Sequence, residues 1–339
     1  MRLSHGIHLA YCTNIHRGGD WPETFRSLNE HTLRVRDRVS SGKPYAIGLR
    51  LGDSASRQLA QADELDKFRA WLEQNECYVF TINGFPYGDF HGKRVKEQVY
   101  KPDWTTVERV EYTKRLFDIL AVIAPAESGG SVSTVPCSFK EFINTGEQVE
   151  AMRRNVWDVV EHIDVLSEKT GRDLHLGLEP EPLCYLETTG EMIRFYRQLR
   201  DDRPGDDRLS RRLGINYDAC HLAVEFEEAA DALGSLIAEG VRISKLHFSS
   251  ALRCAQTPRR STAWPALPRI FTFTRLWPMA GTVRSRGTAT YRMPWPPPHV
   301  ARQAETPSGE STFTFRYIAR RLRCSTRLPI NCSASSRRS

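Results

Sequence analysis

The chain has 339 residues, a formal net charge of +7 and apolar side chains at 40% of positions, with no run near the ~18 apolar residues that suggest a membrane span. His5, His8 and His16 interrupt the N-terminal segment where a secretory signal would need an unbroken apolar stretch, so a cytoplasmic protein is expected. The eight cysteines are scattered with no C-x-x-C pair, which excludes a disulfide framework or a zinc knot and leaves buried thiols as the expectation.

Taken in order, β-rich runs predict strands over 8–15, 45–51, 77–82, 130–135, 174–178, 213–217 and 243–248. Amphipathic stretches lie between them. Leu65, Phe68 and Leu72 form one helical stripe, and Val107, Val110, Phe117 and Leu120 form another. Met152, Val156, Val159 and Ile163 form a third, followed by Leu233 with Ile237. These stripes are core faces that pack helices on a sheet. Thr105 with Glu108, Thr145 with Gln148 and Thr188 with Glu191 have capping-box spacing, and Gly171 and Gly240 stand where helices would stop.

Strands alternating with helices imply parallel strands joined by helical crossovers. No Gly-x-Gly-x-x-Gly turn follows the first strand, so an eight-stranded (β/α)8 TIM barrel is the expectation, with an open doubly wound sheet as the alternative. The pattern supplies seven strands and stops.

Residues 254–339 are of another kind. They hold fifteen Arg, no Lys and no Asp, with only Glu305 and Glu310 as acids, and ten of the nineteen prolines. The tail therefore carries +13, and residues 1–253 carry −6. Its aromatic content, with Trp264, Phe271, Trp277, Trp295 and Tyr317, is too high for a solvating linker. The expectation is a unit over 1–253 and an Arg/Pro-rich extension over 254–339, read as disordered or as the product of a shifted frame. An acidic body has no surplus charge to neutralise phosphates, so no specific nucleic-acid partner is expected.

An α/β barrel places its chemistry at the C-terminal ends of its strands. There the sequence offers Asn14 and His16, Arg50, Asn83 with Tyr87 and His91, Glu179 with Glu181, Asp218 with His221, and Lys245 with His247. Glu179, Asp218 and His247 fall on successive strands and supply oxygen and nitrogen donors for a divalent ion such as Mn, Mg, Zn or Co. Each residue has a purely structural alternative: a cap for Glu179, an Asx turn for Asp218 and an interior hydrogen bond for His247. Asn14, His16, Arg50, Asn83, Tyr87, His91 and Glu181 are candidates for substrate contact. Residues 83–104 form a long strand-to-helix connection of the kind used as a lid, and Lys93, Lys96 and Lys101 could meet an anionic substrate.

The strings His8-Leu-Ala-Tyr-Cys-Thr-Asn-Ile-His16, Phe80-Thr-Ile-Asn-Gly-Phe-Pro-Tyr-Gly-Asp-Phe-His91, Ser131-Val-Ser-Thr-Val-Pro136, Leu178-Glu-Pro-Glu-Pro182 and Ser249-Ser-Ala-Leu-Arg253 resemble the EboE family over about residues 7–253. That family is called a metabolite traffic protein and is grouped with the xylose isomerase-like TIM barrels. The resemblance implies a gene beside others of a small biosynthetic or export cluster, whose products would be partners, and a small-molecule metabolite as ligand. It also implies metal ligands on strands five, six, seven and eight. By position Glu179, Asp218 and His247 match the first three, and a strand-eight carboxylate would be sought beyond Arg253. His221 would touch substrate.

The expected reaction is metal-dependent isomerisation or epimerisation of a small polyhydroxylated or oxo-acid metabolite. Glu179 would be an acid/base, and His221 and Lys245 would orient oxygens. A non-catalytic carrier using the barrel mouth is the rival reading, and a nuclease like the apurinic endonucleases is the third.

Overall fold

The computed structural model describes residues 1–40, 42–88 and 96–250. The expectations for 254–339, for His91 and for Lys93 lie outside the described residues, as does the Lys96 side chain.

Seven strands run along the chain: β1 Ala10–Cys12, β2 Tyr45–Arg50, β3 Cys77–Asn83, β4 Gly130–Thr134, β5 Leu174–Leu178, β6 Leu213–Asp218 and β7 Arg242–His247. They form one sheet in the order β1-β2-β3-β4-β5-β6-β7, and every neighbouring pair is parallel. The early helices are α1 Trp21–Ser27, α2 Leu33–Val39, α3 Asp53–Leu59, α4 Ala62–Gln74 and α5 Val107–Ile123. Then come α6 Gly146–Thr170, α7 Thr189–Asp202, α8 Arg208–Arg212, α9 Ala219–Val224 and α10 Ala229–Ala238. The sheet is curled into part of an α/β barrel with helices outside it. Among the described residues no strand lies between β7 and β1, and the β7 side chains are only partly covered.

β2, β4, β5 and β6 are buried along their whole length, as a sheet covered on its outer face by helices requires. On α6, Met152, Val156, Val159, Val160 and Ile163 recur at three- and four-residue steps and are all buried. Thr145 and Gln148 close the predicted capping box at its start, and Gly171 ends it at φ 67°, a left-handed conformation that costs glycine little. Thr188 and Glu191 do the same at the start of α7. The third predicted box is corrected. Thr106, not Thr105, precedes α5, and the Asp103 carboxylate takes the Thr105 N–H at 2.9 Å. The Thr105 hydroxyl donates to the same Asp103 oxygen, so both groups that the box needed are taken up in an Asx turn.

The first strand is also shorter than predicted. Thr13 Oγ1 donates to the Gly48 carbonyl at 3.2 Å and accepts the Arg50 N–H at 2.9 Å. The side chain thereby takes over the pairing with β2, and the backbone turns into a 3-10 segment at Thr13–Ile15. Between β6 and β7 the approach is so close that a Cβ on Gly214 would collide with the Arg242 carbonyl, so only glycine fits there.

Candidate metal centre

Glu179 follows β5 directly, and its N–H donates to the Thr134 carbonyl at 3.1 Å, which fixes the carboxylate at the strand end. Asp218 ends β6 and caps α9. Its Oδ1 accepts from the N–H groups of Cys220 at 2.9 Å and His221 at 3.3 Å, and from the Ser249 hydroxyl. His247 ends β7 in register with Asp218. Its Nδ1 stands 3.1 Å from Glu179 Oε1 and 3.4 Å from Asp218 Oδ2.

The three residues thus offer donor atoms that all lie within 4.8 Å of one another. Each carboxylate divides its labour: Asp218 Oδ1 holds the helix while Oδ2 faces the centre, and Glu179 Oε1 holds His247. Glu179 Oε2 is buried with no hydrogen-bond partner among the described residues. A buried carboxylate oxygen with nothing to accept from is costly. Two carboxylates and an imidazole are a donor set that suits a divalent cation, and the orphaned oxygen marks where protein atoms leave a place for one.

Burial pushes the Glu179 carboxyl up, but the charge and hydrogen bond of His247, with His221, outweigh it and the net shift is downward. For Asp218 burial is likewise overcome by His221, His247 and Ser249, and the carboxyl stays ionised well below its ordinary range. Both imidazoles respond in kind. Burial lowers His221 and His247, yet the surrounding carboxylates leave each raised above its usual value.

His221 lies on the first turn of α9 with Nδ1 3.1 Å from the Pro180 carbonyl, so Nδ1 carries the proton and Nε2 faces Asp218 Oδ2 at 3.9 Å. Glu181 adds negative charge beside it. Lys245 projects across the concave face, where Nζ donates to Thr81 Oγ1 at 3.0 Å and Ser133 Oγ at 2.9 Å. Cys12 is exposed, and its thiol feels the charges of Lys245, Glu179 and Asp218. Among the described cysteines it alone is exposed.

Other candidates are placed differently. The Arg50 guanidinium is buried and donates to the carbonyls of Gly18 at 3.1 Å and Gly88 at 3.2 Å, which ties the loops after β1 and β3 together. Asn83 Oδ1 accepts the Phe85 N–H at 3.0 Å and shapes the start of the β3 loop. Tyr87 packs edge-on against Tyr112. His16 stacks on His31 at 4.9 Å beside a cleft of about 350 Å³ lined by Arg17, Glu23, Arg26 and Glu30, a lining that does not include Glu179, Asp218 or His247. Asn14 is part-buried on the turn after β1. His91 lies outside the described residues.

Four groups escaped the sequence reading: Thr81, Ser133, Asn216 and Ser249. The signal for one of them was present, because Ser131-Val-Ser133 alternates hydroxyls along a buried strand, where an apolar residue is the norm. Asn216 lies in the barrel beneath Asp218, its Nδ2 3.2 Å from His247 Nδ1.

No protein-family model matches the chain, and no curated protein matches it. Among solved structures, a xylose isomerase-like TIM barrel protein from Mycobacterium smegmatis, in complex with magnesium, is similar at 14% identity. The match covers 76% of this chain and 79% of that one, with a TM-score of 0.49. A xylose isomerase domain protein from Planctomyces limnophilus is 18% identical over 64% of this chain and 67% of its own, with a TM-score of 0.43. The probable 3-DHS dehydratase AsbF from Bacillus anthracis is 13% identical over 74% of each chain, with a TM-score of 0.45. The likeness is one of fold. No helix among the described residues is long and apolar enough to cross a membrane.

Proposed function

We propose that the barrel mouth binds a divalent cation through Glu179, Asp218 and His247 and isomerises or epimerises a small polyhydroxylated or oxo-acid metabolite there. The observation that carries this reading is the convergence of those three side chains around a buried carboxylate oxygen that has no hydrogen-bond partner among the described residues. A bound divalent ion would supply polarisation of neighbouring substrate oxygens.

The chain's own residues account for the rest. Glu179 would be the acid/base: with Oε2 turned to the ion, Oε1, which pairs with His247 in the metal-free protein, would take a proton from a carbon beside a carbonyl. Asp218 is held by three donors and keeps its charge throughout. His221, with its Nδ1 proton fixed on Pro180, turns Nε2 toward the centre, where it can orient a substrate hydroxyl. The finer assignment, an EboE-type protein acting within a biosynthetic or export gene cluster, rests on the sequence motifs and on a barrel unit over 1–253 distinct from 254–339.

Calorimetric titration of the full chain with Mn²⁺, beside a Glu179→Ala variant, tests the reading. The wild type should take up one ion, and the variant should bind it about 100-fold more weakly or worse, beyond the 10- to 100-fold cost of losing an outer-shell partner. Equal weak binding by both removes the metal centre from the argument.

A further inference from the structure

Lys245 is the one positive side chain that β7 sends across the concave face of the sheet, and the acid/base work assigned to Glu179 does not use it. Its ammonium has three N–H bonds, of which Thr81 and Ser133 hydroxyls take two. Ser131 Oγ reaches the same Thr81 hydroxyl at 2.9 Å. Lys245 takes part in no ion pair among the described residues; Glu179, Cys12 and Asp218 act on it only at longer range. Charge held only by neutral hydroxyls is costly, and a cluster of hydroxyls around one ammonium is a donor array for an oxyanion.

The Lys245 ammonium and the Thr81 and Ser133 hydroxyls converge with no carboxylate among the hydrogen-bond partners of the ammonium in the described residues. A neutral sugar would give that ammonium no charged partner, whereas a carboxylate would. Lys245 and His247 are two residues apart on β7, on one face and about 7 Å apart along the strand, which matches the reach of a small acid.

Building on the metal reading, we infer that the substrate is a small hydroxy or oxo acid. Its carboxylate is held by Lys245 with Thr81 and Ser133, while its hydroxyl or carbonyl end meets Glu179 and Asp218.

Calorimetry on the full chain, with and without Mn²⁺, compares D-erythronate with the neutral polyol erythritol as probes. The wild type should bind erythronate at least about tenfold tighter than erythritol, the scale of one desolvated charge-assisted contact. Lys245→Met should abolish that preference without weakening Mn²⁺ binding, since the lysine is no ligand and its charge opposes a cation. A wild type without preference, or a Lys245→Met protein that retains it, overturns the inference. Should that variant lose its circular dichroism, Thr81→Val combined with Ser133→Ala takes its place, and an undiminished preference there has the same force. Mn²⁺ binding without acid preference sinks this inference alone. Acid preference without Mn²⁺ binding sinks the metal reading and spares Lys245.

Discussion

Lys245 on β7 and Thr81 on β3 are joined by a hydrogen bond of 3.0 Å although three strands lie between them in the sheet. In a flat sheet, four strand spacings of ~4.8 Å would hold their backbones roughly 19 Å apart. A lysine side chain cannot span that distance, so the bond shows that the sheet is rolled. Because it is rolled, the ends of β5, β6 and β7 share one concavity with the hydroxyls of β3 and β4.

Proton release should accompany metal uptake. The folded pKa of His247 is raised, chiefly by Glu179 against the opposing effect of burial, so its imidazolium form is favoured in the metal-free protein. That stabilisation is complete below the unfolded value of ~6.5 and is lost as pH rises through the higher folded value. A cation must displace the proton, so apparent Mn²⁺ affinity should fall up to about tenfold for each pH unit below the folded pKa. Titrations between pH 8 and pH 5.5 read this, and an affinity flat across that span would mean that His247 is not a ligand.

His175 should make the fold acid-sensitive with the opposite sign. Burial first, and Arg242 second, lower it to about 3, while its Nδ1 stays 2.5 Å from Ser244 Oγ. The unfolded chain therefore binds one more proton than the folded one between pH ~3 and ~6.5, and stability drops by about 1.4 kcal/mol per unit as pH falls through that window. Urea midpoints of wild type and His175→Gln should converge as pH drops from 7 to 4. Parallel curves would show that the imidazole is not kept neutral by the fold.

Arg109 should matter more than its distance from the centre suggests. It is wholly buried, and it donates to Pro102 at 2.8 Å, Gly84 at 2.8 Å and Phe85 at 3.2 Å, the carbonyls at both ends of the β3–α5 connection. Arg109→Met strands one buried and two part-buried acceptors and should destabilise the protein by about 2 kcal/mol or more. A change below about 1 kcal/mol in urea unfolding would show that water replaces the guanidinium at little cost.

Periodicity carried the architecture because burial enforces it. Leu174–Leu178 was read with its observed bounds, since every residue of that strand is covered by helix or barrel interior and the apolar run has nowhere else to go. β1 was misread in length because Thr13 substitutes a hydroxyl for a backbone group, an exchange that hydrophobic pattern does not register. The site was legible as far as strand ends could locate it: Glu179, Asp218 and His247 meet. Arg50 shows where that reasoning stops. A cation at a strand end serves substrate or backbone according to which carbonyls the loops bring to it, and Gly18 and Gly88 are distant in sequence. Thr81 and Ser133 were passed over for the converse reason, because a small hydroxyl in a strand looks inert until a lysine from another strand reaches it.

Sheet order in this protein is also chain order, and that has a consequence for its birth on the ribosome. Each strand, on emerging, finds its neighbour already made, so the sheet can grow one edge at a time without waiting for distant partners. The convergence of Glu179, Asp218 and His247 is completed last, when residue 247 arrives. Stalled nascent chains of graded length should therefore acquire Mn²⁺ retention in a single step, only after β7 has cleared the exit tunnel.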